Sequence, residues 1–252
     1  MRTPLIAGNW KMFKTVAESE DFAARFKPLV ADVSDVDILV CPPFTSLYSL
    51  SKSLNNTRIM IGAQNIFWEN QGAFTGEISP PMLVDAGCTH VIIGHSERRN
   101  IMHETDPMIN NKLRSAVGAG LVPVLCVGEK LEERRQNRAR EVVQNQLTID
   151  LKDIHIAAGG LVIAYEPVWA IGTGVNASVD DAQEMIGFIR SLLGEIYNET
   201  IADSVRILYG GSVKPENIAG FMAAKDVDGA LVGGASLDPQ TFARIVRFKD
   251  NG

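Results

Sequence analysis

The chain has no excess of basic residues: 24 Lys and Arg stand against 30 Asp and Glu, for a formal net charge of −6. That excludes the concentrated basic face a nucleic-acid backbone demands. A small anion stays admissible, because nearby lysines and backbone amides set the field inside a cleft. Cysteine is scarce. Cys41, Cys88 and Cys126 are odd in number and lack motif spacing, so they read as reduced core thiols of an intracellular protein. No apolar run approaches a membrane span, the longest candidates being the strand-sized residues 121–127 and 161–164. Residues 1–4 lead straight into a strand without an apolar leader or cleavage site, so a soluble cytoplasmic protein is expected. The histidines His90, His95, His103 and His155 form no HExxH or zinc-spaced pattern, and neither metal nor cofactor is expected.

What the chain does have is alternation. Short apolar or β-branched runs occupy residues 5–7, 38–40, 58–62, 91–93, 122–127, 161–164, 206–209 and 230–232. Amphipathic segments of helical period lie between them, at 17–26, 107–118, 130–149, 180–197, 215–224 and 238–248. Strand alternating with helix implies parallel pairing, at about thirty residues per unit. Eight such units account for all 252 residues as one domain, 1–252, with no linker. Periodicity does not choose between an open doubly wound sheet and a closed ring. Polar residues after the first, fourth, sixth, seventh and eighth runs choose the ring, which brings those strand ends to one mouth. The expected fold is α/β: a (β/α)8 barrel of eight parallel strands with outer helices.

The stretch 161–177 carries the strongest signal. A strand buried on both faces ends on Tyr165 and Glu166, and Pro167 forbids simple continuation of the ladder. Val168, Trp169, Ala170 and Ile171 form an apolar flap, and Gly172, Thr173 and Gly174 supply a hinge. A carboxylate at a strand tip, under a greasy flap with a glycine hinge, reads as a base beneath a lid.

Lys11, beside Asn9 at the first strand tip, suits an anion. His95 stands at the fourth tip, where Ser96 can cap the helix that begins there; the positive helix end keeps its imidazole neutral. Arg98 and Arg99 read as salt-bridged structural residues. Gly94-His95-Ser96-Glu97-Arg98 approaches the hydrolase elbow but ends on a side chain too bulky for that turn. Gly172-Thr173-Gly174-Val175-Asn176-Ala177 matches a dinucleotide fingerprint in letters only, since six residues part it from its strand and the next strand ends Tyr209-Gly210-Gly211 without an acid. Gly210-Gly211-Ser212 and Gly233-Gly234-Ala235, at adjacent strand ends, are the expected backbone nest for a phosphate dianion.

Over essentially its full length the chain resembles the triosephosphate isomerase family. The likeness is carried by Asn9-Trp10-Lys11-Met12, Cys41-Pro42-Pro43-Phe44-Thr45, Gly72-Ala73-Phe74-Thr75-Gly76-Glu77-Ile78-Ser79 and Gly94-His95-Ser96-Glu97-Arg98-Arg99. It continues through Cys126-Val127-Gly128-Glu129, residues 164–174, Tyr209-Gly210-Gly211-Ser212-Val213 and Val232-Gly233-Gly234-Ala235. The resemblance implies interconversion of dihydroxyacetone phosphate and glyceraldehyde 3-phosphate through an enediolate, a step of glycolysis and gluconeogenesis, with no cofactor. It makes Glu166 the base and His95 the neutral electrophile. Lys11 and Asn9 would stabilise charge on substrate oxygens, and Glu97 would orient Lys11 or share in proton transfer. Amides of Gly172, Ser212, Gly233 and Gly234 would hold the phosphate.

The resemblance further implies a homodimer through the loop 64–79, with Phe13, Phe74, Thr75 and Glu77 at the interface. Ile66, Phe67, Trp68 and Phe74 are too apolar to stay exposed and are expected to face the partner, Thr75 approaching its residues 9–13. Phe13, the bulky Ile66-Phe67-Trp68, Met102-His103 and Val175-Asn176 depart from the family pattern, the last pair at the trailing hinge of the lid. Two rival readings are another phosphate-gripping barrel enzyme, such as a sugar-phosphate epimerase, and a non-catalytic barrel scaffold.

Overall fold

A computed structural model describes residues 2–171 and 177–251. Eight strands, β1 (Leu5–Asn9), β2 (Asp37–Cys41), β3 (Ile59–Ala63), β4 (His90–Ile93), β5 (Val122–Val127), β6 (Val162–Tyr165), β7 (Arg206–Tyr209) and β8 (Gly229–Val232), pair in sequence order and close into a barrel. All the pairings are parallel, including the closing pair of β1 with β8. The expected (β/α)8 barrel is the observed one.

The strands read as unbroken apolar runs because both faces are buried. Leu5, Ala7, Leu39, Ile92, Val124, Cys126, Val162, Ala164, Leu208 and Leu231 form one cluster drawn only from strands, the packed lumen. Alternate residues such as Ile6, Val40, Val91, Leu125, Ile163 and Ile207 join the helices' apolar stripes, for example Phe22 and Phe26 from Val16–Phe26 and Ile189 from Val179–Ile196. Each buried Leu, Ile or Phe is worth about 1.5–3 kcal/mol relative to exposure. All three cysteines are buried and free. Among the described residues no helix is long and apolar enough to cross a membrane.

Two helices differ from expectation. The span 130–149 is broken into Leu131–Arg135 and Ala139–Asp150, with Asn137 at φ 55° between them, a left-handed position that Asn tolerates. The span 215–224 shortens to Ile218–Met222, because Asn217 turns its side chain back to accept the Lys214 amide. Leu47–Ser53, Pro80–Asp85, Ser96–Asn100 and Glu199–Ser204 are helices too short for periodicity to announce.

The lumen floor is polar. Arg206 and Asp37, each two residues before an interior leucine, pair across it at 2.7 Å. His90, likewise two before interior Ile92, lies at the same end, its Nδ1 2.8 Å from the Thr89 hydroxyl. Nearby, Asp228 is held by Arg2 and Arg190, both at 2.6 Å, and accepts the Ile207 amide.

Candidate active site

At the opposite end, Glu166 follows directly on β6. Its amide donates to the Val127 carbonyl at 2.8 Å, and Gly210 donates to the Tyr165 carbonyl at 2.7 Å, so ladder bonds fix its backbone on both sides. Only glycine fits beside it. A Cβ on Gly128 would lie 1.7 Å from the Glu166 carbonyl oxygen, and one on Gly210 would lie 2.9 Å from Glu166 Cγ. The carboxylate is buried: Oε1 is 2.9 Å from His95 Nε2, and Oε2 accepts the Ser96 amide at 2.8 Å.

His95, not Ser96, occupies the N-cap of Ser96–Asn100, and its Nδ1 accepts the Glu97 amide at 3.2 Å. The helix starts one residue earlier than a Ser96 cap would allow, because the imidazole itself supplies the acceptor that the first turn needs. With Nδ1 accepting, a single ring proton sits on Nε2 and is donated to Glu166. Burial opposes charge on the imidazole, but the Glu166 carboxylate outweighs it and raises the His95 pKa. Burial pushes Glu166 up, yet His95, the Ser96 amide and Lys11 together hold it below the ordinary carboxylate range. While His95 is its partner, Glu166 is therefore a weaker base than an ordinary carboxylate.

Lys11 takes φ 53°, a strained conformation for a side-chain-bearing residue, held by its amide on Asn9 Oδ1 and its carbonyl on Gln64 Nε2. Its ammonium meets Glu97 Oε1 at 2.7 Å. Asn9, Lys11, His95, Glu166, Ile171, Ser212, Gly233 and Gly234 line one open pocket of about 300 Å³, together with Lys214. Gly234 opens the short turn Gly234–Ser236, whose leading amides have no carbonyl behind them. Glu97 stands in an adjoining recess with Lys11 and Asn9.

Pro167 leads into a single 3-10 turn, Val168–Ala170. Trp169 Nε1 donates to Glu129 Oε1 at 2.8 Å, Tyr165 donates its hydroxyl to the same carboxylate, and Arg134 lies 4.7 Å over the indole. Glu129, whose carboxyl is raised by burial, is a site residue to which sequence reasoning gave no role, although it stood inside a quoted motif. Ser96 as an amide donor, Gly128 as an obligatory gap and Lys214 were missed too, since nothing in their spacing announces them. Gly172, Thr173, Gly174, Val175 and Asn176 lie outside the described residues.

In the loop 64–79 expectation and structure part. Ile66 is fully buried in this chain's own core, and Phe67 stacks on Trp68 at 4.1 Å between centroids, both half-buried. Phe74, packed on Phe67 at 4.6 Å, stays 43% exposed, as Phe13 stays 55% exposed, and Thr75 and Glu77 are exposed beside Phe74. The aromatic run folds back because stacking satisfies two rings within the loop, leaving its tip outward. Arg98 pairs with Glu104, and Arg99 with Asp106 and Asp150, the structural roles expected of them.

Fold and pocket together define an α/β-barrel with a carboxylate–imidazole pair and an ammonium at its C-terminal mouth, the end where such barrels carry their chemistry. The family model described as "Triosephosphate isomerase" matches residues 4–249. A triosephosphate isomerase of Trichlorobacter lovleyi is 55% identical over 250 residues, covering 99% of this chain and 100% of that protein. Those of Dictyoglomus thermophilum and Geobacter metallireducens are each 53% identical, over 98% and 99% of this chain and the whole of each relative. The chain belongs to the triosephosphate isomerase family.

Proposed function

We propose that the protein interconverts dihydroxyacetone phosphate and D-glyceraldehyde 3-phosphate through an enediolate, as an aldose–ketose isomerase. The observation that carries the residue roles is the 2.9 Å contact between Glu166 Oε1 and His95 Nε2 in the pocket that also holds Lys11 and Asn9. Glu166 removes a proton from the carbon beside the carbonyl and returns it to the neighbouring carbon. A substrate entering between the two groups takes the His95 proton donor for its own oxygen. Glu166 then loses the partner that lowers its pKa and keeps the burial that raises it, so its basicity increases when the base is needed. The same exchange removes the carboxylate that outweighs burial at His95 and so favours its neutral form.

Lys11, oriented by Glu97, and Asn9 stabilise charge on the substrate oxygens. Amides of Ser212, Gly233 and Gly234, with Gly172 outside the described residues, bind the phosphate. The segment from Pro167 to Gly174 closes as a lid and keeps water from the enediolate, whose phosphate would otherwise be eliminated. The chain acts as one domain in the cytoplasm. It works as a homodimer through the loop 64–79, supported by the exposed Phe13, Phe74, Met12 and Met102. A coupled assay with glyceraldehyde 3-phosphate is the test: turnover is expected without added metal or cofactor. No turnover at millimolar substrate would remove the reading in favour of another phosphate-binding barrel enzyme or a scaffold.

A further inference from the structure

Arg99 points away from the pocket and into the wall behind it. Its Nε donates to the Gly94 carbonyl at 2.7 Å and its Nη2 to the Cys126 carbonyl at 3.0 Å. The Gly94 carbonyl belongs to the peptide that leads into His95. The Cys126 carbonyl belongs to the peptide that leads into Val127, whose own carbonyl takes the Glu166 amide. One guanidinium therefore grips the ends of β4 and β5, across which His95 and Glu166 meet. The fit is close: a Cβ on Gly94, which sits at φ +71°, would lie 2.9 Å from Arg99 Nη2.

Two carboxylates hold that guanidinium in plane. Asp106, at the start of Asp106–Gly118, takes Nη1, and Asp150, the last residue of Ala139–Asp150, takes Nη2, each at 2.5 Å. They are not equivalent. Asp106 is partly exposed, whereas Asp150 is fully buried and its Oδ1 has no hydrogen-bond partner among the described residues. A buried carboxylate with an idle oxygen is a poor way to stabilise a fold. It is a good way to stop a planar fork from rotating off two carbonyls. Asn110 anchors the Asp150 backbone by donating to its carbonyl, so the acid is fixed to both helices.

We propose that Asp150 is a positioning residue for the isomerisation: through Arg99 it fixes the Gly94 and Cys126 carbonyls, and with them the separation of His95 and Glu166. The inference rests on the isomerase reading. Displacing a catalytic pair by about an ångström costs on the order of 10²-fold in rate, so a clamp one peptide away from both members acts on turnover more than on binding. Arg99 and Asp106 are the charged groups that face Asp150. Burial pushes the Asp150 carboxyl up to about 7 against the pull of Arg99, so the clamp is charged above neutrality and loses that charge just below it. Because this pKa is raised on folding, protonation between about 7 and the ordinary value of 3.8 stabilises the fold while it loosens the clamp. A purely structural acid would have no reason to lower turnover as it stabilised the fold.

The test uses the full chain and triose phosphate. Asp150→Asn is expected to lower kcat roughly tenfold at pH 8 with KM within about twofold. The variant-to-parent ratio of kcat should rise toward one as the pH falls to about 6, where the parent loses the same charge. Leu147→Ala, at a fully buried position on the same helix that takes no part in the Arg99 hydrogen bonds, should lower Tm and keep kcat within about twofold. Parent-like kcat in D150N, an equal loss in L147A, or a ratio that stays flat with pH overturns the inference. If D150N does not fold, Arg99→Lys, which keeps the charge and gives up the fork, takes its place, and a parent-like kcat there overturns it equally. A parent inactive on triose phosphate overturns the isomerase reading and this inference together, whereas an active parent with an unaffected variant overturns this inference alone.

Discussion

At the floor of the barrel His90 lies with the Arg206–Asp37 ion pair, while at the mouth His95 lies against the Glu166 carboxylate. Both imidazoles are buried. Burial and the Arg206 charge push His90 down to about 4, whereas the touching carboxylate overcomes burial and raises His95. The floor satisfies its cation and anion with each other, across the lumen. The mouth sets its charges in a pocket where an incoming molecule can exchange them. One barrel thus gives two buried imidazoles opposite shifts, and the difference is which charged neighbour stands nearest.

The largest effect should come from removing the neighbour that sets His95. Glu166→Gln is expected to lower kcat by roughly 10³-fold or more. It should also lower the His95 pKa, since burial and Lys11 would then be opposed only by the Glu97 carboxylate. Turnover and an NMR titration of the imidazole check both, and an unmoved His95 would break the contrast.

The next test is at the floor. His90 has a folded pKa of about 4 against an unfolded value near 6.5, so its contribution to stability is present above 6.5 and lost as the pH falls toward 4. The loss amounts to about 2–3 kcal/mol. His90→Leu should remove that acid destabilisation, which thermal unfolding at pH 7 and pH 4.5 would reveal as a smaller difference than the parent's, with kcat unchanged.

The smallest effect is expected of Arg206→Met. Asp37 is partly exposed and would regain water, so the stability loss should be about 1–2 kcal/mol, read by denaturant unfolding. Turnover should stay within about twofold. A large fall in kcat would mean that the floor is coupled to the mouth, and the division between the two ends would not hold.

Most of the barrel was legible from the sequence. Unbroken apolar runs such as 122–127 and 161–164 mark strands buried on both faces, and the helices that stabilise them are long enough to display a period. The pieces that escaped were short or bent. Ser96–Asn100 has five residues, too few for a period, and its cap proved to be an imidazole. Asn137 broke one expected helix by a single left-handed residue. Within the site, Glu166, His95 and Lys11 were legible because each follows a strand. Arg99 reaching Asp150, fifty-one positions away, was not, because that contact exists only once two helices pack on adjoining strands.

The sequence by itself determined where strands end and which polar side chains follow them, because apolar continuity and its interruption are local properties. Only the tertiary structure decided what each of those groups touches: Nδ1 of His95 on an amide, Nε2 on Glu166, Ile66 turned inward, Asp150 behind Arg99. The reason is physical. An ionisable group's behaviour depends on the charge within a few ångströms and on the water excluded around it, and both are fixed by chain closure rather than by neighbours in sequence.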